Sequence, residues 1–304
     1  MLNYRRKSPL LLVWERFKIQ KTGLLSLSFI TIFSLFVLSA PIFEWLFDLN
    51  AEVINLFNRF QPPSVIHFLG TDELGRDLFI RLLHGGRVSL LVGISASVFA
   101  AIIGIIIGIM SGYFGGYLDA FLMRFTDSVM ALPLLPLLII FASIDLKKIN
   151  FLSSISSNED GNIYKIIIII SFVGWTTVAR LVRAKTIVLR NADFVLSAKG
   201  LGASNFRIIY THILPNLASP IIVATTLSIG NIILLESVLS FLGLGIQPPT
   251  PSWGNLLTNA QELIWEAPLL AFYPGLLIFF TVFSFNFLGD CLQDAVDPRG
   301  IEMQ

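Results

Sequence analysis

The sequence predicts an all-α polytopic membrane protein with about six transmembrane helices, and three observations predict it. Mean hydropathy is +0.78. Hydrophobic residues make up 55% of the 304 and charged residues only 13%, with 26 Phe, which is more apolar surface than a soluble core of this size buries. Uncharged windows of about 20 residues, the length that crosses ~30 Å of hydrocarbon, recur along the chain.

Four such windows, Leu24–Phe43, Val88–Leu118, Leu217–Leu235 and Ala267–Gly289, contain no charged side chain. Two more spans are expected. Tyr117–Ile144 carries only Asp119, Arg124 and Asp127 among apolar residues, and Ile163–Val182 is apolar from Ile166 to Arg180. The first apolar stretch has full membrane length and lacks a small-x-small cleavage site ahead of a soluble domain, so it is expected to remain as an anchor. With residues 1–23 in the cytoplasm, fourteen of the 21 basic residues fall on that side, Arg5, Arg6, Lys7, Arg16, Lys185, Lys199 and Arg299 among them, as the positive-inside rule requires. Both termini are then expected in the cytoplasm. The division is 24–47 for the first span, 48–87 for an extracytoplasmic loop, and 88–304 for a five-helix core with a cytoplasmic loop at 184–216. Residues 145–162 and roughly 241–266 fall on the outer face.

Within the second span Ala100, Gly104, Gly108 and Gly112 recur every fourth residue, with Gly116 just beyond. That leaves one helix face nearly bare, the pattern by which helices approach closely in lipid.

Several chemistries lack their parts. No Gly-x-x-x-x-Gly-Lys-Ser/Thr loop and no His-Glu-x-x-His pair occurs, and the three histidines, His67, His84 and His212, are far apart in sequence. The single cysteine, Cys291, excludes an intrachain disulfide, and a net charge of +1 argues against a nucleic-acid partner. No cofactor or metal is expected in this chain. Asp119, Arg124, Asp127 and Glu236 lie in or beside spans, where charge often marks an ion path, so an ion-coupled secondary transporter is the alternative. The plainer reading pairs Arg124 with Asp127, three residues on, and leaves Glu236 at the outer end of its span within reach of water.

The cytoplasmic connection reads "DFVLSAKGLGASNFRIIYTHILPN" at 193–216. Phe194, Val195, Ala198 and Leu201 can share one helical face. Gly202 then interrupts, Ser204 can cap a second short helix, and Pro215 is expected to stop it. Small residues at Ala198 and Gly202 would let another protein's groove close around the first piece.

This stretch resembles the EAA loop of permease subunits of binding-protein-dependent ABC importers, the element that docks on the ATPase. Ala198, Gly202, Leu214 and Pro215 match the pattern. Leu196 stands for its Glu, Ser197 for its first Ala, and His212 for its usual Ile; Lys199 and Ala203 complete the expected coupling surface. Two further stretches, "HFLGTDELGRDLFIRLLHGGRVSLLVG" at 67–93 and "ESVLSFLGLGIQPPTPSWGNLL" at 236–257, with "LGDCLQDAVDPRG" at 288–300, are similar to the dipeptide, oligopeptide and nickel branch, C-type subunit. In the first, Thr71 or Asp72 can cap a short helix and Arg76 can pair with Asp72 or Asp77, giving an outer lid or a contact for a binding protein. In the second, prolines stiffen an outer loop with Trp253 suited to the membrane interface.

The resemblance implies the type I importer permease fold in a bacterial cytoplasmic (inner) membrane, with membrane lipid around it. It implies a B-type permease partner in a heterodimer, two ABC ATPase subunits that bind ATP and Mg, and an extracytoplasmic substrate-binding protein. The cargo would be di- or oligopeptides or a related small solute.

Overall fold

The computed structural model describes residues 9–144, 161–258 and 260–296. Among them every regular element is a helix, apart from one isolated bridge between Thr71 and Asp77. The helices are α1 (Pro9–Phe17), α2 (Lys21–Leu38), α3 (Ala40–Phe47), α4 (Leu78–Phe114), α5 (Gly116–Ala131), α6 (Leu134–Ser143), α7 (Gly161–Arg190), α8 (Asp193–Gly200), α9 (Asn205–Phe241), α10 (Ala260–Leu263) and α11 (Leu269–Val296). Arg5, Arg6, Lys7 and Arg299, used in the charge argument, lie outside the described residues, as does most of the expected outer segment 145–162.

Five helices, α2, α4, α7, α9 and α11, are each long and apolar enough to cross a membrane, and α5 with α6 passes the same test as a pair bent by 89°. The bend has a local cause. Leu132 is extended (ψ 139°) ahead of Pro133, because the proline ring disfavours helical backbone in the residue before it. The first span is divided in a similar way. The helical run expected through Phe43 breaks at Ser39, and α3 restarts with a proline in its first turn, where a missing N–H costs nothing.

Boundaries of the second span differ from the sequence expectation. Residues 78–87, expected in the outer loop, are the first turns of α4, started by the Asp77 carboxylate, which accepts from Ile80 N at 3.0 Å. Phe114 ends the helix because Gly115 and Gly116 take φ +67° and +60°, backbone open to glycine and strained for side-chain-bearing residues. The 37 residues of α4 span about 56 Å at 1.5 Å per residue, so α4 overhangs the hydrocarbon.

The most extensive packing joins α4 to α7. A Cβ at Gly104 would lie 2.8 Å from the Trp175 carbonyl oxygen and 2.8 Å from Val178 Cβ; at Gly108, 2.6 Å from Ala179 O; at Gly112, 2.8 Å from Arg183 O. The two backbones are therefore nearly in contact and run parallel, each step of four on α4 matched by a step of four on α7. Opposite, α9 runs antiparallel to α4, Ile233 filling the space beside Gly93, and antiparallel to α11, Leu227 lying against Gly289. On the far side of α11 lies α2, with Gly23 beside Cys291. One end of the bundle carries residues 39–77 and 242–268; the other carries 191–204, the end of α1 and the end of α11. Large apolar side chains such as Leu25, Ile32, Phe121 and Phe272 project outward, the surface of a multi-pass membrane protein.

Candidate functional site

The connection between α7 and α9 is bound to the bundle through one face only. Arg190 Nη1 donates to the Tyr113 carbonyl at 3.1 Å, and Tyr113 Oη donates to Asn205 Oδ1 at 2.9 Å. These bonds fix both ends of the connection to the last turn of α4. Between them α8 begins with Asp193 and ends with Lys199, charges that complement the helix dipole. Val195 is buried and Ala198 half-buried in a cluster with Ile109, Tyr113, Ile208, Ile213 and Leu217. The helix closes in a Schellman motif, with Ala203 N donating to Ala198 O at 3.1 Å and Gly202 N to Lys199 O at 3.0 Å while Gly202 adopts φ +79°. That conformation is the physical reason for glycine there. Ser204 then caps α9, its hydroxyl accepting from Arg207 N at 3.4 Å.

Pro215 does not stop the second helix as expected. Residues Ile209–Ile213 form a π-helical turn in which Leu214 N donates to Ile209 O, and the helix runs on to Phe241. The wider turn carries the chain past a ring that would otherwise meet the Thr211 carbonyl.

Exposure redistributes the expected coupling residues. Ala198 points into the bundle, and Ala203 and Leu214 are half-buried beside it. A Cβ added at Gly202 would meet nothing within 4 Å. Leu196, Ser197, Lys199 and Pro215 face outward. The strongest outward features lie outside the expected coupling residues: Leu201 is 89% exposed, Phe206 79% and Tyr210 65%, with the last two rings stacked at 6.2 Å. Phe194 and Leu201, expected on the face of Val195 and Ala198, lie instead on this outer side. Lys199 and Arg207 flank the patch. An apolar patch, with exposed basic residues on the same connection, is thus presented at this end of the bundle.

At the opposite end the four outer candidates are interior ties. Asp72 accepts from Arg76 Nε at 2.7 Å, Arg76 N at 3.0 Å and Leu74 N at 2.9 Å, and Arg81 Nε lies 3.3 Å from the same carboxylate. Asp77, the α4 cap, binds His67 Nδ1 at 2.9 Å. The Thr71 hydroxyl donates to the Asn58 carbonyl and accepts from Gln61 N. Thr71, Asp72, Arg76 and Asp77 are all buried. Arg76 pairs with Asp72 and not with Asp77, and the helix cap is Asp77 rather than Thr71 or Asp72.

Two further expectations are corrected here. Glu236, expected within reach of water, is 0% exposed, bonded by Ser89 Oγ at 2.9 Å and Ser240 Oγ at 2.7 Å. Trp253, expected at the membrane interface, is also fully buried, its ring over Gly86 and its Nε1 donating to Leu82 O at 3.0 Å. Helical hydropathy gave no signal for either, because both are enclosed by the 243–255 turn folding back between α4 and α9. The span charges are also paired differently. Asp127 binds Arg180 at 2.5 Å rather than Arg124, and Asp119 takes Arg183 at 2.6 and 2.7 Å, so each joins α5 to α7. Among the described residues no group of three or more His, Cys, Asp or Glu side chains is placed to hold a metal ion.

Residues 104–301 match the family model described as "Binding-protein-dependent transport system inner membrane component". The chain is 36% identical to the oligopeptide transport system permease protein OppC of Bacillus subtilis over 93% of its length and 88% of that protein. It is 38% identical to the dipeptide transport system permease protein DppC of Alkalihalophilus pseudofirmus over 97% of its length and 92% of that protein. It is 39% identical to the glutathione transport system permease protein GsiD of Shigella flexneri over 94% of its length and 89% of that protein. A solved structure of the MetNI methionine ABC transporter in an inward-facing conformation shares the fold, with TM-score 0.55 at 17% identity, covering 71% of this chain and 96% of that one. An ion-coupled transporter gives way to this evidence, and the chain belongs to the binding-protein-dependent transport system inner membrane components, as an ABC importer permease of the OppC and DppC type.

Proposed function

We propose that this chain is one half of a heterodimeric membrane pathway that brings di- or oligopeptides into the cytoplasm, with a B-type permease as the other half. ATP and Mg bind, and ATP is hydrolysed, on two separate ATPase subunits; an extracytoplasmic binding protein delivers the cargo. The end carrying residues 191–204, and with it both termini, is then cytoplasmic. The peptide reading rests on the names of the curated relatives. The observation that carries the coupling role is the one-sided anchoring of α8: Val195 and Ala198 fix it to the core, while Leu201, Phe206 and Tyr210 project outward. A force applied to the outer face would reach α4 and α7 through Tyr113, Asn205 and Arg190 with no flexible hinge between.

Substituting Leu201→Asp and Phe206→Asp tests this. Neither side chain contributes to the core, so membrane yield should hold. Losing apolar anchors from a docking face costs ~2 kcal/mol or more, about a thirtyfold loss of association. The ATPase subunits should fail to co-purify and peptide uptake should collapse. Normal co-purification with both substitutions present would show that the ATPases dock elsewhere.

A further inference from the structure

We infer that the groove between α7, α9 and α11, at the end carrying the 191–204 connection, is an anion-accepting vestibule in which Lys185 meets the carboxylate of the solute being released. The inference rests on the importer reading above and adds to it a site and a ligand chemistry.

The groove encloses about 920 Å³ and is lined by Thr177, Leu181 and Lys185 of α7, by Ser228 and Asn231 of α9, and by Gln293 of α11, among others. Thr177, Leu181 and Lys185 are four apart, and Ser228 and Asn231 three apart, so each set shares one helix face. Thr177, Lys185, Asn231 and Gln293 are exposed, and all belong to helices that qualify as membrane spans. Polar side chains from three spans converging on one concave surface mark contact with water rather than with lipid tails.

The cations of this part of α7 are distributed unequally. Arg180 is bound to Asp127 at 2.5 Å, Arg183 to Asp119 at 2.6 Å, and Arg190 to the Tyr113 carbonyl at 3.1 Å. Lys185 has no ion pair or hydrogen bond among the described residues, and the described residues that line the groove include no carboxylate. Lys185 lines the groove without a counter-charge among the described residues. A second, smaller groove of about 230 Å³ lined by apolar residues such as Met130, Leu132 and Leu138 adjoins the first and shares Thr177 with it. The order along α7 is thus a smaller groove lined by no charged side chain, followed by a larger one, also mainly apolar, that adds Lys185, a cation with no partner among the described residues. The smaller groove offers a charged solute only the Thr176 and Thr177 hydroxyls, and the larger one offers its carboxylate a cation. A lone ammonium on a flexible stem binds as a point charge without a rigid fork, which suits a solute that has to leave.

The test uses the complete importer in proteoliposomes with Cys291→Ser and Asn231→Cys. Accessibility is read with an anionic sulfonatoethyl and a cationic trimethylammonioethyl methanethiosulfonate, each rate divided by its rate on a free thiol, with and without nucleotide. Beside an unpaired ammonium the anionic reagent should be favoured roughly fivefold. That preference should vanish in Lys185→Gln and persist in Lys185→Arg. Failure of both reagents to react in either nucleotide state means that a protein or lipid neighbour fills the groove and overturns the inference; so does a preference indifferent to Lys185. A second arm follows uptake of radiolabelled trialanine. Lys185→Gln should slow it several-fold at unchanged membrane yield and ATPase co-purification, and Lys185→Arg should not; equal uptake by all three overturns the inference. If the unsubstituted complex moves no trialanine, the peptide assignment fails, and the thiol ratios alone decide the vestibule.

Discussion

Glu236 closes two hydrogen-bond chains that start on the same turn. Trp253 N donates to Ser89 Oγ at 3.2 Å, and that hydroxyl donates to Glu236 Oε2; Ile246 N donates to Ser240 Oγ at 3.0 Å, and that hydroxyl donates to Oε1. One carboxylate thereby holds both ends of the 246–253 turn against α4 and α9. Truncation to Ala removes the acceptor for two buried donors, each a loss of ~1–3 kcal/mol. Glu236→Ala should therefore lower the unfolding temperature in detergent markedly, and Glu236→Gln, which keeps an acceptor oxygen, much less. Equal unfolding temperatures for Ala, Gln and the native residue would mean that the turn is held by packing alone. The same scale explains why the expected coupling residues do not all lie on the outer face. That Ala198 lies in the connection was legible from its neighbours in sequence. That it points inward depends on Ile109 and Tyr113, some ninety positions away, which no local pattern reports. Replacing Ala198 with Asp would bury a charge beside Val195 and Ile208, so it probes folding, whereas Leu201→Asp and Phe206→Asp probe docking.

At the scale of elements, the α4–α7 pair was the most legible feature, because small residues every four positions have few uses other than close approach. The partner helix was not legible, since α7 contributes backbone carbonyls, Val178 and Thr186 to the contact and carries no matching stripe. Gly108→Leu should force the helices apart against the Ala179 carbonyl and Val182. Overpacking of this kind costs ~1–3 kcal/mol or more, and membrane yield and thermal stability should fall together. Gly275→Ala is the contrasting case. Gly275 lies inside α11 with nothing within 4 Å of an added Cβ, so the variant should be neutral or gain up to ~1 kcal/mol from helix propensity. Matching losses at both positions would point to glycine's backbone freedom, not helix contact, as the reason for the stripe. The extent of α9 was misread for a related reason. Proline rules predicted a stop at Pro215, and the π turn at Ile209–Ile213 absorbs the ring by a rearrangement that has no residue signature.

For the whole molecule, five single helices are long and apolar enough to span, and the sixth crossing is decided by direction. The parallel packing of α4 and α7 decides it. A chain that crosses once in α4 and again in the same direction in α7 has to return between them, and the bent α5–α6 pair runs that way, from Asp119 beside Arg183 near the end of α7 to Ala142 beside Lys165 near its start. The pair therefore belongs to a complete return crossing despite its 89° bend, and a re-entrant loop that went back to its own side would make the parallel contact of Gly104, Gly108 and Gly112 with α7 impossible. The sequence order α2, α4, return, α7, α9, α11 then makes six crossings. It also brings α1 beside the end of α11, where Phe17 packs against Cys291 and Ala295, so both ends of the bundle's chain lie on the side of the 191–204 connection. The proposed orientation makes that side cytoplasmic. A reporter active only outside the cytoplasm should be silent when fused after Gln304 or inserted at Gly202, and active when inserted near Asn158. Activity at Gln304 and Gly202 with silence at Asn158 would keep the six crossings and invert the protein. Activity at Gly202 alone, with Gln304 silent, would leave an odd number of crossings between the two and break the antiparallel arrangement of α9 and α11 on which the vestibule depends.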